Sequence, residues 1–305
     1  MTDARLRDRA RGALLGLAAG DAVGTTVEFA APGSFAPLTD MVGGGPFGLA
    51  AGQWTDDTSM ALCLADSLVA CAGEHDPRDQ LERYVRWYRE GERSSTGRCF
   101  DIGNATRAAL ERFEATGDVE AGLRDPQAAG NGSLMRLAPV PIAFLADRER
   151  AERVAAEQSR TTHGGPQAHD ACRAYAGLLV DALAGTPADE LLRHRTPEPG
   201  LHPEVERVVA GSYLDAEPPT IRGGGYVVLA LEAALWAVAG AATFADAVLR
   251  AANLGDDADT TAAIAGQLAG ALHGEAGIPA AWRARLHEGD TIAALADALL
   301  KSRAD

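Results

Sequence analysis

Basic residues are scarce in this sequence: 28 Lys and Arg stand against 43 Asp and Glu, leaving a formal net charge of −15 over 305 residues. A surface that tracks phosphates needs clustered Lys and Arg to release counterions, so this balance argues against nucleic acid as a bulk partner. Cysteine is sparse as well. The four present, Cys63, Cys71, Cys99 and Cys172, form no CxxC pair and no zinc-like spacing, which fits free thiols in a reducing cytoplasm. No run reaches the roughly 18 apolar residues that a membrane span needs. Arg5, Arg7, Arg9 and Arg11 precede an apolar stretch, but that stretch, Ala13 to Gly20, is short and runs straight into Asp21, so it does not read as an export signal. Alternating β-branched runs are few, and no Ser/Pro-rich linker divides the chain.

Helical periodicity fills the space those absences leave. Apolar residues recur at three-and-four spacing through Met60, Leu62, Leu64, Leu68 and Val69, through Leu81, Tyr84, Val85 and Tyr88, through Tyr175, Leu178, Leu179 and Leu183, and through Val228, Leu231, Leu235, Trp236 and Val238. Alanine between these positions favours helix over strand. The expectation is an all-α fold in one compact multi-helix domain over residues 1–305, with surface connections at 196–203 and at Pro218-Pro219. Glycines gather at 16–24, 43–45, 130 and 132, 164–165 and 223–225, which reads as a set of loops where a ligand approaches backbone closely. Helix caps and tight turns are the plainer account of Gly43 to Gly45.

Most of the acids read as solubilising charge. Two segments do not. Trp54-Thr55-Asp56-Asp57-Thr58 opens the helix through Met60, and Asp256-Asp257-Ala258-Asp259-Thr260-Thr261 opens the helix through Ile264. Capping explains one hydroxyl or carboxylate per helix start, not two or three adjacent acids that repel one another. A multivalent cation would relieve them. Oxygen ligands without Cys or His suit Mg²⁺ or Mn²⁺. Thr55, Asp56, Asp57, Asp257, Asp259 and Thr260 are too many for one magnesium, yet suit a pair of ions about 3.5–4 Å apart. Double capping and a metal pair both stay open on this pattern alone.

Taken together, Gly16-Leu17-Ala18-Ala19-Gly20-Asp21-Ala22-Val23-Gly24 with Glu28-Phe29, Trp54 to Thr58, Asp101-Ile102-Gly103-Asn104, Gly130-Asn131-Gly132-Ser133-Leu134-Met135-Arg136, Thr162-His163 and Asn253 to Thr260 resemble the ADP-ribosylglycohydrolase family. The matches run in family order over about residues 12–282. The resemblance implies an all-α fold with a binuclear Mg²⁺ or Mn²⁺ centre in a cleft that cleaves the bond between ADP-ribose and an acceptor. By position, Thr55, Asp56 and Asp57 match the first metal motif, and Asp257, Asp259 and Thr260 the second. Glu28 matches the family's general acid/base, and Asp101 an acid near the site that on sequence alone could equally cap the helix starting near Asn104. Asn131, Gly132 and Ser133 would present a pyrophosphate loop, with a helix expected to follow it. His163 would line the ADP-ribose pocket, and Tyr226 would stack on adenine or ribose. Asp256 stands where the family often has glycine, as an outer acid or a simple cap. The implied partner is an ADP-ribosylated protein, arginine-linked, or a small ADP-ribose conjugate; nucleic acid would enter only as an ADP-ribosylated base, and the chain is expected to act as a monomer.

Overall fold

The computed structural model describes residues 3–125, 129–193 and 200–302. Among them the elements are helical: α1 (Asp3–Gly24), a 3-10 turn (Thr25–Val27), α2 (Asp56–Ala70), α3 (Pro77–Glu90), α4 (Asn104–Thr116), α5 (Pro139–Ala143), α6 (Arg148–Arg160), α7 (Pro166–Ala184), α8 (Ala188–Arg193), α9 (Pro203–Val209), α10 (Val227–Ala239), α11 (Phe244–Ala252), α12 (Ala258–Gly277), α13 (Ala280–Arg285) and α14 (Gly289–Lys301). Extended pairing among the described residues is confined to isolated bridges. One continuous apolar core runs from α1 to α14. The helical periods at Met60, Leu81, Tyr175 and Val228 fall in α2, α3, α7 and α10. Of the connection expected at 196–203, residues 196–199 lie outside the described residues.

The glycines at 16–24 do not form a loop. They lie inside α1, and with Gly12 they recur every fourth residue, so all four face one side of the helix. That side meets α12 backbone to backbone. A Cβ on Gly12 would sit 2.3 Å from the Gly270 carbonyl oxygen, on Gly16 2.3 Å from that of Gly266, on Gly20 2.1 Å from that of Ala262 and on Gly24 2.4 Å from that of Ala258. Contacts that descend one helix as they climb the other make the pair antiparallel, so the end of α1 is locked to the start of α12. Here the requirement for close approach overrides the intrinsic helix weakness of glycine, about 1 kcal/mol per residue.

Ordinary helix starts are capped in the ordinary way. Asp76 accepts from the backbone N–H groups of Arg78 (2.9 Å) and Asp79 (3.3 Å) at the head of α3, Asp147 from that of Arg150 (3.0 Å) at α6, and Thr243 from that of Asp246 (3.1 Å) at α11. The heads of α2 and α12 differ: Thr55 and Asp257 occupy the cap positions, yet neither side chain caps. Loop 131–136 is tied to α12 by Gln267, whose Nε2 donates to the carbonyls of Leu134 (3.2 Å) and Met135 (2.6 Å).

Alanine at Gly266 adds helix propensity of about 1 kcal/mol but brings a Cβ to 2.1 Å from the Gly16 carbonyl. Overpacking against backbone outweighs the propensity gain, so Gly266→Ala is expected to lose about 1–3 kcal/mol of stability. Chemical denaturation followed by circular dichroism checks this; a stabilised variant would remove the close seam.

Candidate active site

Asp21, buried in the last turns of α1, organises the start of α2. Its carboxylate accepts from the Thr55 N–H (2.9 Å) and hydroxyl (3.0 Å) and from the Thr58 N–H (3.0 Å) and hydroxyl (2.6 Å). It thus satisfies an orphan donor in the first turn of α2 from another helix, which frees Asp56 and Asp57 from capping. Burial pushes the Asp21 carboxyl up to about 6, and the bonds from Thr58 and Thr55 oppose the shift. Sequence reasoning gave Asp21 no role, although an acid directly following the apolar stretch 13–20 was the available signal.

The freed acids converge with those of α12. The Thr55 hydroxyl lies 3.4 Å from oxygens of both Asp57 and Asp259, and the Thr260 hydroxyl 3.4 Å from Asp57. Carboxylate oxygens of Glu28, Asp101 and Asp259 all lie within 4.8 Å of one another. Burial is the main reason these carboxyls titrate high. Burial with the Asp101 charge raises Glu28 to about 9, and burial with the Asp21 charge raises Asp101 to about 7. Asp56, Asp57 and Asp259 are pushed well above the usual carboxylate range by burial and then by neighbouring charge, foremost Asp101 for Asp56, Asp21 for Asp57 and Glu28 for Asp259, and Asp257 is raised by burial. Asp57 Oδ1 and Asp259 Oδ1 are buried without a hydrogen-bond partner.

These observations fit a hard divalent cation. Uncapped acids at two helix starts, orphaned buried carboxylate oxygens and an all-oxygen donor set are what Mg²⁺ or Mn²⁺ requires, and double capping does not survive them.

Above the acids opens a cleft of about 410 Å³. Glu28, Asp56, Asp101, Asn131, Gly132, His163, Asp257, Asp259 and Thr260 line it, together with Phe29, Gly130, Met135 and Gly225. Thr55 and Asp57 are buried and outside the lining. Asn131 donates to Asp257 Oδ2 at 2.6 Å and orients it. Glu28, expected at the end of a glycine loop, follows the 3-10 turn that closes α1 and is only 6% exposed, so it is no solvated acid. Asp101 does not cap α4: Gly103 holds that position. A separate hollow of about 370 Å³ beside Arg124, Arg160 and His169 is lined by one acid, Glu120, and by none of the raised carboxyls.

Several expectations need correction. No helix follows the 130–133 loop directly; turns lead to the five-residue α5 at Pro139. The helix N-terminus at the cleft is instead that of α4, through Gly103, Asn104, Ala105 and Thr106. The signal, Gly103-Asn104 ahead of an amphipathic run, was present but ambiguous. Ser133 turns inward, fully buried, with its hydroxyl accepting from that of Ser159 (2.8 Å). Tyr226 is outside the lining, with its hydroxyl donating to Glu204 Oε2 at 2.7 Å. Asp256 does not cap α12, where Asp257 holds that position, and does not line the cleft; its backbone pairs with Phe29 and Ala30.

His163 is held by a buried chain. Arg136, fully buried with its guanidinium over the Tyr84 ring at 4.7 Å, donates to the Thr162 hydroxyl (2.8 Å), which lies 2.8 Å from His163 Nδ1. With Arg136 donating to it, Thr162 turns its hydrogen to Nδ1, and the network assigns the ring proton to Nε2. Burial and the Arg136 charge lower His163 to about 3, so the ring is neutral. A Cβ at Gly132 would sit 2.7 Å from Cε1 and 3.1 Å from Nε2, so the glycine gives that edge its room.

The family model described as ADP-ribosylglycohydrolase matches residues 2–305. The chain is 51% identical over 282 residues to an ADP-ribosylarginine hydrolase Tri1 of Pseudomonas putida (strain GB-1), covering 92% of this chain and 75% of that one. It is 35% identical over 291 residues to the ADP-ribosyl-[dinitrogen reductase] glycohydrolase of Rhodospirillum rubrum, covering 94% and 92%. A solved structure described as an ADP-ribosylglycohydrolase-related protein complex superposes with a TM-score of 0.88 at 45% identity, covering 99% of this chain and all of that one.

Carboxyls raised in the folded state bind protons that the unfolded chain releases. Their contribution to stability is therefore full below the unfolded pKa near 4 and is lost as pH rises through the folded values, up to about 9 for Glu28. Metal-free protein is expected to melt progressively lower between about pH 5 and 9, and Mn²⁺ to raise the melting temperature most at the alkaline end. Asp259→Asn should raise the metal-free melting temperature at pH 8 by about 2 °C or more while abolishing the Mn²⁺ effect. Differential scanning calorimetry with and without chelator reads all three; a destabilised Asp259→Asn that still responds to Mn²⁺ would contradict the repulsive cluster.

Proposed function

The chain belongs to the ADP-ribosylglycohydrolase family, and we propose that it hydrolyses the glycosidic bond between ADP-ribose and arginine in an ADP-ribosylated protein, reversing the modification. The observation that carries this reading is the convergence of buried, high-titrating acids from four segments at the floor of a cleft with one wall of glycine backbone and a neutral histidine. The arginine-linked acceptor is supported by the relative from Pseudomonas putida, whose substrate is of that kind. We take the protein to act as a cytoplasmic monomer with one domain over 1–305; no described helix is long and apolar enough to cross a membrane.

Hydrolysis at the anomeric carbon passes through a transition state of oxocarbenium character, so the site must orient the ribose, deliver water and protonate the leaving group. Thr55, Asp56, Asp57, Asp257, Asp259 and Thr260 would hold two Mg²⁺ or Mn²⁺ ions, whose chemistry here is to neutralise the acids, grip ribose hydroxyls and lower the pKa of water. Asn131 keeps Asp257 turned toward that centre. Glu28, whose carboxyl is pushed upward by burial, gives a proton to the departing guanidine nitrogen, and Asp101, also raised by burial, is the neighbouring carboxyl that exchanges protons with water. The start of α4 and the Gly130–Gly132 loop both line the cleft, with Thr106 Oγ1 3.5 Å from where a Cβ on Gly132 would sit, and their N–H groups would cradle the pyrophosphate. His163 Nε2–H adds a donor without adding charge.

Incubation with an arginine-linked ADP-ribosyl protein and Mn²⁺ or Mg²⁺ is expected to release free ADP-ribose, read by mass spectrometry, with little release from serine- or thymidine-linked substrates. Asp257→Ala should abolish release, and Glu28→Gln should lower kcat by about 10²–10⁴-fold. AMP or phosphate in place of ADP-ribose would replace this reading with a phosphoester hydrolase.

A further inference from the structure

Phe29 directly follows Glu28, lines the cleft, and is 67% exposed, more than any other large apolar side chain described. Its backbone sits in the left-handed region at φ 61°, where a phenylalanine is strained. The strain is held by a reciprocal pair of backbone bonds, Phe29 N–H to the Asp256 carbonyl (2.7 Å) and Asp256 N–H to the Ala30 carbonyl (2.8 Å), and Asp256 is itself left-handed at φ 53°. The fold thus spends two unfavourable conformations to hold an apolar ring out in water beside the acid cluster.

The ring is backed by others. Phe47 meets Phe29 edge-on at 6.3 Å and Phe100 at 5.2 Å, so segments 28–30, 43–49 and 99–101 supply one aromatic rim. The 43–49 turn is pressed onto the end of α1: a Cβ at Gly45 would sit 2.1 Å from the Thr25 carbonyl. The rim adjoins the acids through Glu28, next to Phe29, and Asp101, next to Phe100, whereas the Gly130–Gly132 wall adjoins them through the bond from Asn131 to Asp257. If the glycosidic bond lies over the acids and ADP-ribose takes the glycine and histidine wall, the acceptor leaves past Phe29.

From this the geometry points to Phe29, backed by Phe47, as the acceptor-recognition residue: its ring face stacks on the planar, cationic guanidinium of the ADP-ribosylated arginine. An aromatic face accepts a guanidinium plane better than it accepts a neutral serine or thymidine acceptor. The inference rests on the hydrolase reading above and adds the residue that selects the acceptor.

The test compares Phe29→Ala, Phe29→Leu and Phe29→Trp by KM for an arginine-linked ADP-ribosyl protein and by the inhibition constant of free ADP-ribose, which lacks the acceptor. Phe29→Ala should raise KM about fivefold to tenfold, Phe29→Leu nearly as much, and Phe29→Trp little, while ADP-ribose inhibits all of them as it inhibits the unmodified enzyme. An unchanged KM in Phe29→Ala, or an ADP-ribose constant that rises with KM, overturns the proposal. Should Phe29→Ala fail to fold, equal KM values for the Leu and Trp variants overturn it. An unmodified enzyme that releases no ADP-ribose fails earlier, and removes the hydrolase reading with it.

Discussion

Contact between the backbones of α1 and α12 sets the distance from which the rest of the site is measured. Side chains normally hold packed helices 8–10 Å apart; here Gly12, Gly16, Gly20 and Gly24 on one helix and Gly266 and Gly270 on the other remove them along the whole seam. Because the pair is antiparallel, the end of α1 and the head of α12 are forced together. Asp21 and Glu28 come from the first, Asp257 and Asp259 from the second, and they are far apart in sequence. Asp21 then draws in the head of α2 by accepting from Thr55 and Thr58. A seam a few ångströms wider would leave no single point that all of these carboxylates could reach.

Bringing so many acids together is unfavourable in itself. Burial of a carboxylate without a partner costs several kcal/mol, and it is the main cause that pushes the carboxyls of Glu28, Asp56, Asp57 and Asp259 upward. The contrast with Asp76 and Asp147, single acids that cap α3 and α6 at the surface, separates the two uses of one residue type within one chain. Most of the −15 belongs to the second kind. The few acids of the cleft are unstable company without a cation, and Asp21 shows how the protein prevents their being neutralised by the cheaper route of capping: it does the capping itself.

Periodicity made the helices legible, since the apolar stripes of α2, α3, α7 and α10 follow from side-chain spacing alone. The acid pairs at 56–57 and 257–259 were legible for the same local reason, as more charge than a helix start can use. What failed was long-range. Glycines 16–24 read as a loop because their partner surface on α12 lies about 240 residues away, although the fourfold spacing was in view. The N-terminus of α4 at the cleft, the inward turn of Ser133 and the chain from Arg136 to His163 depend on how helices are arranged, which no local pattern states.

Strain at the cleft follows the same logic as the seam. Phe29, Asp101 and Asp256 are non-glycine residues with left-handed backbone, and each carries or flanks an acid of the cleft: Glu28, the carboxylate of Asp101 itself, and Asp257. A left-handed residue reverses the chain within one step, which lets a side chain be aimed where a regular helix end could not send it. Such conformations cost about 1–3 kcal/mol each and persist only where surrounding structure over-determines them. The cross-brace between segment 29–30 and Asp256 supplies that determination for two of the three at once, since Phe29 N–H donates to the Asp256 carbonyl and Asp256 N–H to the Ala30 carbonyl. It also joins the end of α1 to the head of α12 a second time, outside the glycine seam. The acid cluster is therefore held from beneath by packed backbone and from above by paired strain, and the ring of Phe29 is carried on the upper of the two.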